Sequence, residues 1–409
     1  MNGKTHGENT FSEAKNADKK RENGARPRVV FTFVEAGMGH IIPMAGMCEA
    51  FTEKYGDRCE VVKSNIFSDS KYESVKAMGE KLSGHTKKTA TNRLYNRFEA
   101  FSYMLPSRFT LFALDRYFSR PIKEFLSEYK ALSPDLLVAS YYLPAHLARL
   151  ANDKKLTNSL IATYSPDSYI YPAWDRKCDL YLVNNEEAER QALRKGFDKD
   201  KVKRIPCVHK KDFTGNTLTK AQAREKAGID GAKFTVLFTS GAYGAKNTYR
   251  LLRKIRDIDI AATLVVICGK NQSMQSAVRE IFAEKESSVT LKLIGFTDDM
   301  ATYIRAADVL IGKGGSNTVM EAAYIGCPMI MNACANELEE QMSKFCAKEN
   351  IAVTEKNPDK AVELFKKLAA DGDFYTRHVE EMKKFGDPTG AEKAADLLFE
   401  LLKKRFPYL

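Results

Sequence analysis

The 409-residue chain contains no run of 18 apolar residues, so no segment reads as a membrane-spanning helix. Its first 27 residues are polar and aperiodic and lack the apolar stretch of a signal peptide. They read as a disordered tail that either solubilises the chain or touches anionic lipid. Paired cysteines are missing too. The eight at 48, 59, 178, 207, 268, 327, 334 and 346 form no CxxC spacing. That argues against structural zinc, and several lie in apolar runs, like small core residues of a reduced cytosolic protein. Neither GxGxxG nor GxxxxGK[ST] occurs, which removes the dinucleotide fingerprint and the P-loop. No Asp-x-Asp pair stands where it would hold Mg²⁺, so no metal site and no cofactor are expected.

What is present in excess is positive charge, +11 at pH 7. Such a balance points to nucleic acid, an anionic membrane surface or an acidic ligand. The segment 71–130 holds 12 Lys or Arg against six Asp or Glu, over half of the excess. Aromatics are interleaved there, and Leu94, Phe98, Phe101 and Leu105 keep a helical spacing. Basic, aromatic-rich helices suit the membrane interface. The competing reading is ordinary core packing, because residues 105–118 read as too apolar for an exposed face. No recognition motif accompanies the charge, so nucleic acid is not an expected partner.

The length exceeds what one core usually serves, and two domains are expected. Apolar runs alternate with helical patterns along both halves, as in α/β domains. The most informative stretch is 291–341. A strand at 291–294 meets Gly295-Phe296, and a helix covers 298–307. A second strand, 309–311, enters the loop Gly312-Lys313-Gly314-Gly315-Ser316-Asn317. A helix of small residues then runs to Gly326-Cys327-Pro328, and a strand follows at 329–331. Glycines at the start of a helix suit phosphate, although glycine after a strand is also common in any α/β protein. Glu321, one turn beyond Asn317, is placed to reach a group beside the phosphates.

Earlier in the chain, a strand at 29–34 turns through Glu35-Ala36-Gly37-Met38-Gly39-His40 into a helix starting near Pro43. Ligands bind at the carboxyl ends of such strands. His40 is either a general base there or a solvated histidine at a helix start. Further strands cover 59–66, 136–140, 160–164, 178–187 and 202–206, with a helix bearing His146 after the second of these. Asp167, in the loop after 160–164, either orients His40, takes an acceptor proton itself, or packs or caps locally. A strand at 234–238 opens the second domain and runs into Ser240-Gly241-Ala242-Tyr243-Gly244. Another, 264–268, ends in Gly269-Lys270, where Lys270 either neutralises phosphate or is simply exposed. A helix is expected to begin within 332–341, and two more helices to end the chain.

Gly295-Phe296, Met300, Ala307-Asp308, Gly314-Gly315, Thr318, Glu321-Ala322, Gly326 and Pro328 together resemble the donor half of GT-B glycosyltransferases. The resemblance is to the lipid-directed group of plant monogalactosyldiacylglycerol synthase, bacterial diacylglycerol glucosyltransferases and the undecaprenyl-linked GlcNAc transferase of peptidoglycan synthesis. Gly37-Met38-Gly39-His40 resembles their acceptor-side glycine–histidine loop. The stretch Asp167 to Trp174 resembles their TD…HPxW segment, with Tyr171 in place of the histidine and the aspartate offset by one. Tyr141 or Tyr142 stands where a further histidine is common.

The resemblance implies an α/β GT-B fold of two Rossmann-like domains facing across a cleft. Residues 28–212 would form the acceptor and membrane-binding domain, with the helix at 390–409 packing back on it, and 213–389 the donor domain. It implies an inverting transfer of a hexose from UDP-glucose or UDP-galactose to a lipid hydroxyl such as that of diacylglycerol. His40, helped by Asp167, would be the base. Gly241, Gly314, Gly315 and Ser316 would hold the diphosphate, and Gly39, Ser240, Gly269, Lys270 and Asn317 would also line the UDP-sugar. Glu321 would hold the ribose, Gly295-Phe296 would face uracil, and Glu339, Glu340 and Gln341 would meet the sugar. The enzyme would be peripheral on the cytoplasmic side of an anionic membrane, as a monomer or weak dimer. A polyprenyl-linked GlcNAc transferase and a UDP-GlcNAc 2-epimerase are the alternatives, since both share the double fold.

Overall fold

The computed structural model describes residues 26–34, 38–81, 107–239, 247–334 and 336–409. They fall into two compact units, those within 1–211 together with 389–409, and those within 212–388. The expected tail, most of the basic stretch between 82 and 106, and the turn 240–246 lie outside the described residues.

The first unit is built on a six-stranded parallel sheet. Its strands are β1 (Arg28–Phe33), β2 (Glu60–Asn65), β3 (Leu136–Ala139), β4 (Leu160–Ser165), β5 (Leu180–Val183) and β6 (Val202–Arg204), in the order β2-β1-β3-β4-β5-β6. The strands are apolar throughout because both faces are covered. Val30, Leu137 and Ile161 face one core with Phe125, Tyr129 and Leu147. Their neighbours Val29, Phe31, Leu136 and Val138 face the other, with Met44, Phe51 and Leu398. This is the two-residue alternation of a pleated strand. The helix Gly390–Arg405 belongs to this second core. Phe399 stacks on Tyr55 at 3.9 Å, and the Tyr55 hydroxyl donates to Asp396 at 2.6 Å.

The second unit has β7 (Phe234–Thr239), β8 (Ala262–Ile267), β9 (Val289–Ile294), β10 (Val309–Lys313), β11 (Met329–Ala333) and β12 (Ala352–Thr354), all parallel, in the order β12-β11-β10-β7-β8-β9. Winding outward from β7 and β10 in both directions is the Rossmann order. Asp308, one of the residues that carry the resemblance, has a structural task at the opposite end from the glycine loop. It accepts from the Thr235 backbone N–H at 2.7 Å and pairs with Lys220 at 2.9 Å and with Arg224. It thereby ties the helix Lys220–Ala227, capped by Thr219 and Gln222, to the sheet.

Several sequence expectations need correction. The helix expected near Pro43 spans Met38–Tyr55, with Pro43 inside it. Proline has no N–H to give the carbonyl four residues back, yet its fixed φ is helical, so the preceding turn is retained. The helix expected to begin within 332–341 does so, at its far end: β11 runs through Ala333, and Asn336 caps Glu337–Glu349 by accepting from the Glu339 N–H. After it come the short β12 and three helices, Pro358–Ala370, Gly372–Met382 and Gly390–Arg405, where two helices were expected. Finally, the apolar run 105–118 is not core throughout. On the helix Ser107–Tyr117, Phe109, Phe112 and Tyr117 are 56%, 70% and 71% exposed.

Candidate functional site

In the first unit β1, β3 and β4 are neighbours, and the chain reverses its winding between β1 and β3. A crevice at the carboxyl ends of the strands is expected at such a reversal. His40 stands there, in the first turn of the helix after β1. Its Nδ1 lies 2.6 Å from the Ser140 carbonyl at the end of β3, and the Ser140 hydroxyl donates back to the His40 carbonyl at 2.9 Å. A carbonyl can only accept, so Nδ1 carries the proton and Nε2 keeps its lone pair. Burial lowers the imidazole pKa, while the Asp167 carboxylate just beyond β4 and the Ser140 carbonyl pull it up. The net direction is down, so the ring is neutral over most of the physiological range.

Tyr141 packs its ring edge on His40, with centroids 5.2 Å apart, and the stack continues through Tyr142 to Tyr171 at 4.6 and 4.9 Å. The tyrosines that stand where the resemblance has histidines therefore share one aromatic row beside His40. His146 is not part of it. Its Nε2 meets Asp115 at 2.9 Å and joins the helix Tyr142–Asp153 to Ser107–Tyr117. Gly39 adjoins His40, with open space where a side chain would stand.

In the second unit the reversal lies between β7 and β10, and the glycine loop leaves the end of β10. Gly312 is dictated by close approach: a Cβ there would stand 2.7 Å from Thr239 Oγ1 on β7. Gly315 is the N-cap of Ser316–Ile325, with no side-chain cap, so the positive end of the helix faces the loop. Gly326 ends that helix in the left-handed region at φ 80°. Glu321 is buried on it, and burial alone pushes its carboxyl up to about 7. Among the described residues neither a neighbouring charge nor a hydrogen bond offsets that cost.

Of the three residues expected at the sugar, the structure brings Glu339 to the loop. It is buried, its backbone carbonyl is 3.5 Å from where a Gly314 Cβ would lie, and its carboxylate accepts from Lys313 at 2.8 Å. Glu340 instead pairs with Lys356, and Gln341 donates to Glu337 at 2.6 Å. Gly269, at φ +57°, and Gly295 sit together at the ends of β8 and β9. The Lys270 ammonium lies over the Phe296 ring at 5.3 Å, and that ring is 61% exposed. Ser316 and Asn317 occupy the first helical turn, whereas Glu35, Gly37, Ser240, Gly241 and Gly244 lie outside the described residues. Lys313 was given no role in the sequence reading. A cation between two glycines at a strand end was the available signal. Ser140 left no signal, because it acts through its backbone carbonyl.

Two doubly wound parallel α/β units are the two Rossmann-like domains of a GT-B protein. Residues 44–206 match the monogalactosyldiacylglycerol (MGDG) synthase family, and residues 235–392 match the glycosyltransferase family 28 C-terminal domain. Monogalactosyldiacylglycerol synthase 3 of Arabidopsis thaliana is 22% identical over 391 residues, 92% of this chain and 80% of that one. The processive diacylglycerol beta-glucosyltransferase of Staphylococcus saprophyticus is 22% identical over 80% of this chain and 81% of its own. In fold, the crystal structure of Acinetobacter baumannii MurG superposes with a TM-score of 0.63 at 14% identity, covering 91% of this chain and 99% of that one. The chain is a GT-B glycosyltransferase related to the monogalactosyldiacylglycerol synthase, diacylglycerol glucosyltransferase and GlcNAc transferase group, a hexosyltransferase that uses a UDP-sugar.

Proposed function

We propose that the protein transfers a hexose, with inversion, from a UDP-sugar to the hydroxyl of a membrane lipid such as diacylglycerol. The observation that carries this reading is the His40–Ser140 hydrogen bond of 2.6 Å, which leaves a neutral imidazole with its Nε2 lone pair available at a strand-end crevice. In the reaction the acceptor oxygen forms its bond to the anomeric carbon while the bond from that carbon to the β-phosphate oxygen breaks. Nε2 takes the hydroxyl proton, Asp167 stabilises the imidazolium, and UDP leaves. Lys313, Gly314, Gly315, Ser316 and the helix start behind them would meet the charge developing on the diphosphate. Lys270, Gly269 and the turn holding Ser240 and Gly241 would add to that lining. Glu321 is a buried acceptor without a donor among the described residues, suited to ribose hydroxyls, and Phe296 offers a ring face to uracil. Glu339 would meet the sugar.

The lipid half of the reading is supported by the exposed aromatics of Ser107–Tyr117, flanked by Arg116 and Arg120. A 2-epimerase of a soluble nucleotide sugar has no use for such a face. Among the described residues no helix is long and apolar enough to cross a membrane, so attachment would be peripheral, at an anionic cytoplasmic surface. Substituting His40→Ala tests the assignment: transfer should fall by at least ~10³-fold while UDP affinity stays within about twofold. Loss of UDP binding would move His40 out of the acceptor role.

A further inference from the structure

Asp167 lies in a loop with no regular structure, yet its value to His40 depends on where its carboxylate stands. Three backbone groups around it are held by side chains from the next strand–helix unit. Asn184, buried at the end of β5, donates its Nδ2 to the Pro166 carbonyl at 2.9 Å. Gln191, on the helix Glu186–Arg194, donates its Nε2 to the Ser168 carbonyl at 3.3 Å and accepts the Ile170 N–H on its Oε1 at 3.1 Å. The residues on both sides of Asp167 are therefore fastened, which fixes where its carboxylate stands.

The amide orientations in this network follow from one another. Asn185 is the helix N-cap, and its Oδ1 accepts the Ala188 N–H at 2.8 Å. Its Nδ2 must then face outward, and it donates to Asn184 Oδ1 at 2.7 Å. That fixes the Asn184 amide in turn, with its Nδ2 toward Pro166. A cap that every such helix needs is thus relayed through two amides to the loop carrying the carboxylate. The helix gives the relay a rigid base.

We propose that Asn184 and Gln191 are positioning residues for the His40–Asp167 pair, holding the loop 166–170 so that the carboxylate acts on the imidazole. This rests on the assignment of His40 and Asp167 given above. The groups facing His40 among the described residues are Asp167 from the loop after β4 and the Tyr141 ring and Ser140 carbonyl from the turn after β3. Asp167 also acts on the buried Tyr181 phenol of β5, and Gln191 donates to Glu187 at 3.0 Å.

The test is the pH profile of kcat/KM for Gln191→Met, Asp167→Asn and the double variant, with UDP affinity and thermal midpoint measured alongside. The Asp167 charge raises the imidazole pKa, so displacing it moves the acid limb to lower pH. Gln191→Met should shift the limb down by about half a unit and lower kcat roughly tenfold, with UDP affinity unchanged. The double variant should be no worse than Asp167→Asn alone, because both remove the same interaction. Gln191→Glu, which still accepts from Ile170 N–H, should retain part of the activity. A fall in kcat with an unmoved limb, or effects that multiply in the double variant, would overturn the positioning role. If Asp167→Asn leaves the limb in place, the underlying pair is wrong, and that failure is read without any Gln191 variant.

Discussion

Lys313 holds its ammonium 2.8 Å from the buried Glu339 carboxylate and 4.0 Å from where a side chain on Gly315 would begin. The pair joins the end of β10 to the helix after β11 and lies against the glycine turn. In the proposed reaction an incoming diphosphate would compete with Glu339 for that ammonium, and the carboxylate would turn toward a sugar hydroxyl.

Lys313→Met should therefore weaken UDP binding by about ten- to a hundredfold, since a charge-assisted contact to phosphate is worth roughly 1.5–3 kcal/mol. It also removes the ammonium beside the buried Glu339 carboxylate, and the thermal midpoint should fall. Calorimetric titration with UDP and thermal unfolding measure the two effects separately. Because charge at this end of the sheet comes from Lys313 and a helix start, EDTA should leave the transfer rate unchanged.

Glu321 makes the unliganded protein sensitive to pH. Its folded pKa is raised from 4.5 to about 7, so the folded state holds a proton that the unfolded chain has released. The contribution is fully present below pH ~4.5, falls as pH rises toward 7 and is gone above it, about 3 kcal/mol at most. Glu321→Gln should flatten that slope and raise the thermal midpoint at pH 8, while weakening UDP binding. A midpoint that depends on pH equally in both proteins would remove Glu321 as the cause.

Phe112 is the most exposed phenylalanine of the helix Ser107–Tyr117, at 70%. Burying such a ring in lipid is worth about 1.5–3 kcal/mol. Phe112→Ser should reduce binding to vesicles containing anionic lipid by roughly tenfold or more, with the thermal midpoint unmoved. Flotation at two salt concentrations separates the aromatic contribution from that of Arg116 and Arg120.

Gly312→Ala would place a Cβ 2.7 Å from Thr239 Oγ1 and 2.8 Å from the Thr239 carbonyl. Those atoms sit on the neighbouring strand, and the backbone has to move. The expected cost is about 1–3 kcal/mol, seen as a lower thermal midpoint. UDP affinity should fall as well, because Lys313 follows directly.

Much of the fold was legible because parallel strands covered on both faces are continuous apolar runs, and glycines punctuate their ends. The strand 309–311 with its loop was recognisable in that way. The three-residue β12 was not, being too short for any period to register. The exposure of Phe109 and Phe112 ran against hydrophobicity itself, since an apolar sequence signals burial whether the burying phase is protein or lipid. At the site, residue types were legible and pairings were not. His40 and Asp167 stand out by chemistry, whereas the Ser140 carbonyl, the Lys313–Glu339 pair and the Asn184–Gln191 clasp exist only once the strands are ordered.

The central claim is that a sugar moves from UDP to a lipid hydroxyl. Mass spectrometry of the lipid fraction after incubation with mixed UDP-sugars and membrane lipid tests it most directly. The account predicts a new neutral glycolipid, one hexose heavier than its acceptor, with UDP released in equal amount. A sugar-bearing product found only in the aqueous phase would contradict it.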